Sequence, residues 1–265
     1  MKEGSEETRA GGYNPIHFAS LFAVEDRHFW FRARNQVISA LMTQVVASLS
    51  PGYRVLEVGC GDGNVLRFLE KACSGGHVTG MDLHGEGLTY ARRRVQCPLV
   101  QADVSLPPFC KTFQVVGIFD VLEHISDDRR ILDDLRKLLD HRGTLLLTVP
   151  AHPHLWSYFD EAAGHCRRYR VNELRSKLEQ TGYSVEYLTE YMAGMHPLVL
   201  LYRKTRPAVI SVAQSPEELV KREVRIVPVL NEVLSFVLSL EAKWIAARKL
   251  LPLGASLVAV ARKID

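Results

Sequence analysis

No two cysteines stand at Cys-x-x-Cys spacing, and the 5 present (Cys60, Cys73, Cys97, Cys110 and Cys166) are odd in number. A disulfide framework and a thiolate zinc site are therefore not expected, and the thiols read as reduced, in a cytoplasmic compartment. No stretch of about twenty uninterrupted apolar residues occurs, so a membrane span is not expected. Residues 1–12 are polar and charged and lack the apolar centre of a secretory signal. Neither sign of charge predominates, with 33 Lys and Arg against 30 Asp and Glu. The formal net charge is only +3, too mild for the concentrated basic face that a phosphate backbone requires, so nucleic acid is not an expected partner. Internal repeats and low-complexity segments are also lacking. What is present is an ordinary globular balance, 47% hydrophobic and 24% charged, enough for one large α/β domain.

Residues 1–14 read as a flexible tail. Residues 15–50 carry apolar and aromatic residues at helical spacing and are read as an N-terminal helical lid, closed by Pro51-Gly52. Short apolar runs then alternate with helical patterns. Strands are predicted over 53–58, 77–81, 98–101, 113–119 and 143–149, and helices over 64–72, 86–95 and 127–139. This rhythm predicts a parallel sheet with helices on both faces. Beyond Pro150 the spacing predicts a helix over 171–180, a strand over 182–189, a largely apolar helical insertion over 191–252, and a last strand over 256–262. The two late strands are expected to form an antiparallel edge. The core thus spans 51–190, with 253–265 returning to it.

The densest chemical signal is Glu57-Val58-Gly59-Cys60-Gly61-Asp62-Gly63, a strand running into a glycine-rich turn before a helix. Glycines let the backbone turn sharply and let a ligand lie against peptide groups, at the strand end where open α/β sheets bind ligands. Asp82 ends the second strand, positioned to accept hydrogen bonds from ribose hydroxyls, with Leu83 next to it. Asp103-Val104 follows the third strand, where an adenine is expected, and Phe119 to His124 ends the fourth. A dinucleotide fingerprint would need Gly-x-Gly-x-x-Gly, whereas position 64 is Asn64. Glu57 and Asp62 also place negative charge at the turn, repelling a pyrophosphate and favouring an ammonium and a sulfonium.

These residues resemble motif I and, in order and spacing, the later motifs of class I S-adenosylmethionine-dependent methyltransferases. The resemblance covers about residues 50–190. It implies a Rossmann-like, doubly wound, seven-stranded sheet, mostly parallel with an antiparallel edge, and S-adenosylmethionine as cofactor. It also implies that Glu57, Gly59, Cys60 and Gly61 line the methionine end, that Asp82 holds the ribose, and that Asp103 with Val104 holds the adenine. Phe119 completes the strand-end set. Residues 28–35, 155–160 and 164–169 resemble a subgroup that acts on small molecules, glycans or lipid-linked intermediates.

Trp30, Phe31 and Arg34 are expected on a helix covering the cofactor pocket, although packing into the core is the commoner use of such aromatics. The segment after the fifth strand is the candidate acceptor site. His165 or Asp160 could serve as base there, Arg167 and Arg168 as a forked anion clamp, and Trp156 and Tyr169 as contacts. The competing reading is an ion-pair network that closes the loop. His124 is a second candidate base or orienting group. Glu123-His124 lacks a third ligand at helpful sequence spacing, so no metal is expected. In-line methyl displacement needs mainly alignment and water exclusion, and the two histidines favour an oxygen acceptor. The alternatives are a non-catalytic S-adenosylmethionine-binding regulatory protein and a nicotinamide-dependent oxidoreductase. The helical insertion, with nearby cations, suits a cap, a peripheral membrane contact or a homodimer interface, and the oligomeric state stays open.

Overall fold

The computed structural model describes residues 13–196, residue 218 and residues 224–264. Residues 1–12 of the expected tail and much of the insertion, including Arg203, Lys204, Arg206, Lys221 and Arg222, lie outside the described residues. Seven strands form one sheet: β1 (Arg54–Val58), β2 (His77–Asp82), β3 (Leu99–Gln101), β4 (Phe113–Phe119), β5 (Leu139–Pro150), β6 (Tyr183–Tyr191) and β7 (Ser256–Lys263). Their spatial order is β3-β2-β1-β4-β5-β7-β6. The first five are parallel neighbours, while β7 runs antiparallel between β5 and β6. The late pair thus builds one side of the sheet, with β7 inside and β6 outermost.

The strands read as near-continuous apolar runs because both faces are covered. Alternate residues feed two cores. Val55, Val115, Leu146 and Val258 pack on one face against α2 (Phe29–Val46), α3 (Leu66–Ala72) and the late helix α8 (Pro228–Ala246). Leu56, Val116, Leu145 and Leu257 pack on the other against α5 (Asp128–Leu138) and α7 (Val171–Gln180). Strand β5 begins earlier than the expected 143, because Leu139 already pairs with Phe113 ahead of a register shift.

The helical region before the sheet is broken into two pieces, α1 (Phe18–Val24) and α2, since His28 turns the chain and caps α2. Helix α2 is less a separate lid than a core element. Its Ile38, Leu41 and Met42 are fully buried, and α8 lies across it through Leu238, Ala242 and Ile245. On the opposite side of α8, Val229, Val233, Phe236 and Leu240 are exposed. No helix among the described residues is long and apolar enough to cross a membrane.

Candidate active site

The site begins where β1 ends. Gly59, Gly61 and Gly63 hold φ values of +71°, +52° and +81°, the left-handed region that only glycine enters without penalty. A β-carbon at Gly59 would overlap the Val121 side chain. The Gly59 and Cys60 amides both donate to the Met81 carbonyl, at 2.8 and 3.0 Å, which pins the turn to the tip of β2. Asp82 completes the brace: one oxygen accepts from the Gly61 amide at 2.7 Å and the other from the His84 amide at 2.8 Å. Asp103 holds its own turn, accepting from the Ser105 amide at 2.8 Å and hydroxyl at 2.7 Å.

These strand tips open onto a cavity of about 550 Å³. Glu57, Gly59, Cys60, Gly61, Asp82, Leu83, Asp103, Val104, Phe119, Arg34 and His124, each expected at the site, line it. Trp30 does not; it packs half-buried against the core, while its neighbour Phe31 faces the cavity. Tyr13 and Phe18, which the sequence did not single out, also line it. Phe18 had only the aromatic content of a helical stretch as a signal, which carries no direction, and Tyr13 fell within the expected tail.

The charge around the cavity is partly balanced within the protein. Asp62 pairs with Arg94 at 2.9 Å, and Arg94 also binds Glu25 and stacks over Phe22 at 4.0 Å. Asp62 thus engages Arg94 through one oxygen, Oδ1, while its Oδ2 is buried without a hydrogen-bond partner. Arg34 joins Asp120 at 3.0 Å and Asn64 at 3.3 Å, tying α2 to the glycine turn and to the tip of β4. Glu57 is likewise buried, and its Oε2 has no hydrogen-bond partner. Burial pushes its pKa well above the usual carboxylate range, with Arg34 acting in the opposite direction.

Residues 29–188 match the family described as "Methyltransferase domain". The chain belongs to this methyltransferase domain family. A "Probable S-adenosylmethionine-dependent methyltransferase" of Mycobacterium tuberculosis is 28% identical over 160 residues, 59% of this chain and 56% of that protein. The chain thus spans little more than half the length of this relative. A "Ubiquinone biosynthesis O-methyltransferase" of Actinobacillus pleuropneumoniae is 30% identical over 109 residues, 37% of this chain and 46% of that protein. A solved S-adenosylmethionine-dependent methyltransferase of Thermotoga maritima shares the fold, with a TM-score of 0.55 at 14% identity, covering 95% of this chain and all of that one (100%). The fold is that of a class I S-adenosylmethionine-dependent methyltransferase.

The residues of this chain fit that cofactor. The turn supplies a cradle that only glycine backbone leaves open. The unpartnered Glu57 oxygen suits a positively charged group, as does the acidic character of Asp82 and Asp103.

The loop after β5 is folded back on itself, outside the cavity lining. Asp160, fully buried, caps its own helix by accepting from the Ser157 amide at 2.8 Å. Its other oxygen receives Arg168 Nε at 2.6 Å and faces His165 Nδ1 at 2.9 Å. Arg168 also donates to the Ala151 carbonyl at 3.1 Å. Arg167 reaches Asp128 at 2.7 Å and the Ser126 carbonyl at 2.6 Å. Tyr169 is fully buried and donates to Asp128 at 2.9 Å. Trp156 is 37% exposed and donates to Glu161 at 3.3 Å. Neither arginine is the open clamp expected from sequence; both close an ion-pair network. Of the two candidate histidines, His124 lines the cavity and His165 stands behind it, ring centroids 4.8 Å apart and edge to face. Burial first, then the neighbouring His165 ring, lowers the His124 pKa to about 3, against the Gly164 carbonyl, which raises it. Glu123, 1% exposed, lies next to both rings. The fold therefore supplies the third metal-capable group that linear spacing concealed.

Proposed function

We propose that this methyltransferase passes the methyl group of S-adenosylmethionine to a hydroxyl oxygen of a small-molecule, glycan or lipid-linked acceptor. The observation that carries this reading is the buried, unpartnered Glu57 oxygen beside a glycine cradle. A protein leaves a carboxylate so only at a cost of a few kcal/mol, and a bound cationic ligand offsets it. Glu57, Gly59, Cys60 and Gly61 would hold the methionine end, Asp82 with Leu83 the ribose, and Asp103 with Val104 the adenine. Phe119 and Arg34 would close the floor.

When bound, the cofactor supplies an electrophilic methyl on a good leaving group. The chain's task is then alignment and exclusion of water. Tyr13, Phe18 and Phe31 supply apolar cover along the cavity wall. His124, kept neutral by burial, orients the acceptor hydroxyl. His165 and Asp160 are positioning residues behind it, and Arg167, Arg168 and Tyr169 hold their loop. The oxygen acceptor is supported by His124 at the wall and by the likeness to a protein named as an O-methyltransferase.

The test is titration calorimetry with S-adenosylmethionine, followed by incubation with labelled cofactor and a panel of hydroxyl, amine and carbon acceptors. Saturable cofactor binding and label on a hydroxyl are expected. Label on nitrogen or carbon removes the oxygen assignment. Binding of a reduced nicotinamide instead of S-adenosylmethionine overturns the reading altogether.

A further inference from the structure

We propose that Glu123, His124 and His165 bind one divalent transition-metal cation of the zinc class at the acceptor end of the cavity. One donor atom from each residue lies within 4.8 Å of the others, and His165 Nε2 is 4.0 Å from Glu123 Oε1. Two ligands at ~2.0 Å in a tetrahedral shell stand about 3.3 Å apart. Closing the set therefore takes roughly an ångström of side-chain rotation, with no movement of the sheet.

Three features make this more than a coincidence of titratable groups. First, Glu123 is 1% exposed and its Oε2 has no hydrogen-bond partner. Buried carboxylate oxygens are paired or ligate metals, and here the free oxygen belongs to the group next to two imidazoles. Second, each imidazole already has an oxygen on its Nδ1 side. His165 Nδ1 faces Asp160 Oδ1 at 2.9 Å, and His124 Nδ1 faces the Gly164 carbonyl at 3.3 Å. A carbonyl and a carboxylate only accept, so both rings carry their proton on Nδ1 and present a lone pair on Nε2. That is the outer-shell arrangement that orients metal-binding histidines. Third, the outer shell is itself rigid: Asp160 is fully buried, held by Arg168 and by the Ser157 cap. The Cys166 amide also donates to the Glu123 carbonyl at 2.7 Å, locking the two donor segments together.

Two imidazoles and one carboxylate suit zinc or another first-row divalent ion, whereas magnesium and calcium favour all-oxygen shells. Three protein ligands with one position open is the pattern of a catalytic rather than a structural ion. Only His124 of the three lines the cavity, so the open position faces the acceptor. The use of the ion rests on the methyl-transfer reading. An acceptor hydroxyl would bind as fourth ligand and lose its proton to solvent water, and His124 would then orient it through the cation.

The test uses the full chain, stripped by chelator and titrated with Co²⁺ alone, read by calorimetry and visible absorption. One equivalent should bind, with the strong absorption of a low-coordinate ion. Affinity should fall at least tenfold in Glu123→Gln and in His165→Gln, and 10- to 100-fold in Asp160→Asn. S-adenosylmethionine affinity should stay within about twofold in all three, which reports an intact fold. Ring-nitrogen signals of His124 and His165 in the unaltered chain should move together on addition of Zn²⁺, a readout independent of any variant. Absence of saturable Co²⁺ binding, binding unchanged in the variants, or Zn²⁺ shifts on other histidines overturns the site. Metal binding with no methyl transfer leaves the site standing and removes only its proposed use.

Discussion

Asp82 uses both carboxylate oxygens on backbone amides, Gly61 on one side and His84 on the other. An amide has one oxygen and one NH₂, so in Asp82→Asn one of those amides must face another donor. The loss of a charge-assisted hydrogen bond and the new donor clash together amount to about 2–3 kcal/mol. Calorimetry should therefore show S-adenosylmethionine affinity reduced by at least tenfold, while thermal unfolding stays cooperative. Equal affinity would mean that the glycine turn does not depend on this brace. The position of Asp82 was legible, since the end of a short apolar run marks a strand tip, but its partners were not. The same limit applies to Arg167 and Arg168. Adjacent arginines in a loop read as an anion clamp, and only the fold shows that Asp128 and Asp160 already occupy them. Residue type reports what a side chain can bind; its partner is set by chain segments that come close only on folding.

Helix α2 shows the same division at the scale of an element. Its apolar periodicity was readable, but its start was not, because the cap is unusual. His28 Nδ1 accepts from the Trp30 amide at 3.3 Å, and Asn231, 202 positions from Phe29, accepts from the Phe29 amide at 2.9 Å. Histidine can cap a helix this way only while Nδ1 is unprotonated. Burial lowers the His28 pKa to about 4 from its ordinary 6.5. Above pH 6.5 both folded and unfolded chains hold the ring neutral, so stability does not vary through this group. Between pH 6.5 and 4 the unfolded chain takes up a proton that the folded one refuses. Stability then falls by roughly 1.4 kcal/mol per pH unit, about 3 kcal/mol at most. His28→Asn keeps a capping oxygen and removes the titration. Urea unfolding at pH 7 and pH 4.5 should show a smaller drop for this variant than for the unaltered chain. An identical drop in both would place the acid sensitivity elsewhere.

For the whole molecule, the decisive element is the last strand. The alternating helices and strands of residues 54–150 follow a rhythm that short-range patterns reveal, and β4 and α7 fall where the sequence put them. How the late segments close the sheet depends on pairings between distant positions, such as Thr144 with Arg262 and Tyr191 with Ser256, beyond the reach of periodicity. Strand β7 lies inside the sheet, hydrogen-bonded to β5 along Thr144–Pro150 and to β6 along Tyr183–Tyr191. Leu257, Val258, Ala259, Val260 and Ala261 are fully buried, and they contribute in turn to the two cores on opposite faces. Their burial is worth several kcal/mol, at roughly 25 cal/mol per Å² of apolar surface. That is comparable to the entire stability of an ordinary domain, about 5–15 kcal/mol. Removal of residues 254–265 would also leave the inner edges of β5 and β6 with unpaired amides and carbonyls, a surface prone to association. The shortened chain should therefore lose cooperative unfolding by circular dichroism and bind no S-adenosylmethionine, although every residue lining the cofactor cavity is retained. A shortened chain that binds the cofactor normally would mean that β1 to β5 with their helices form a self-sufficient unit, with β6 and β7 as an appendage.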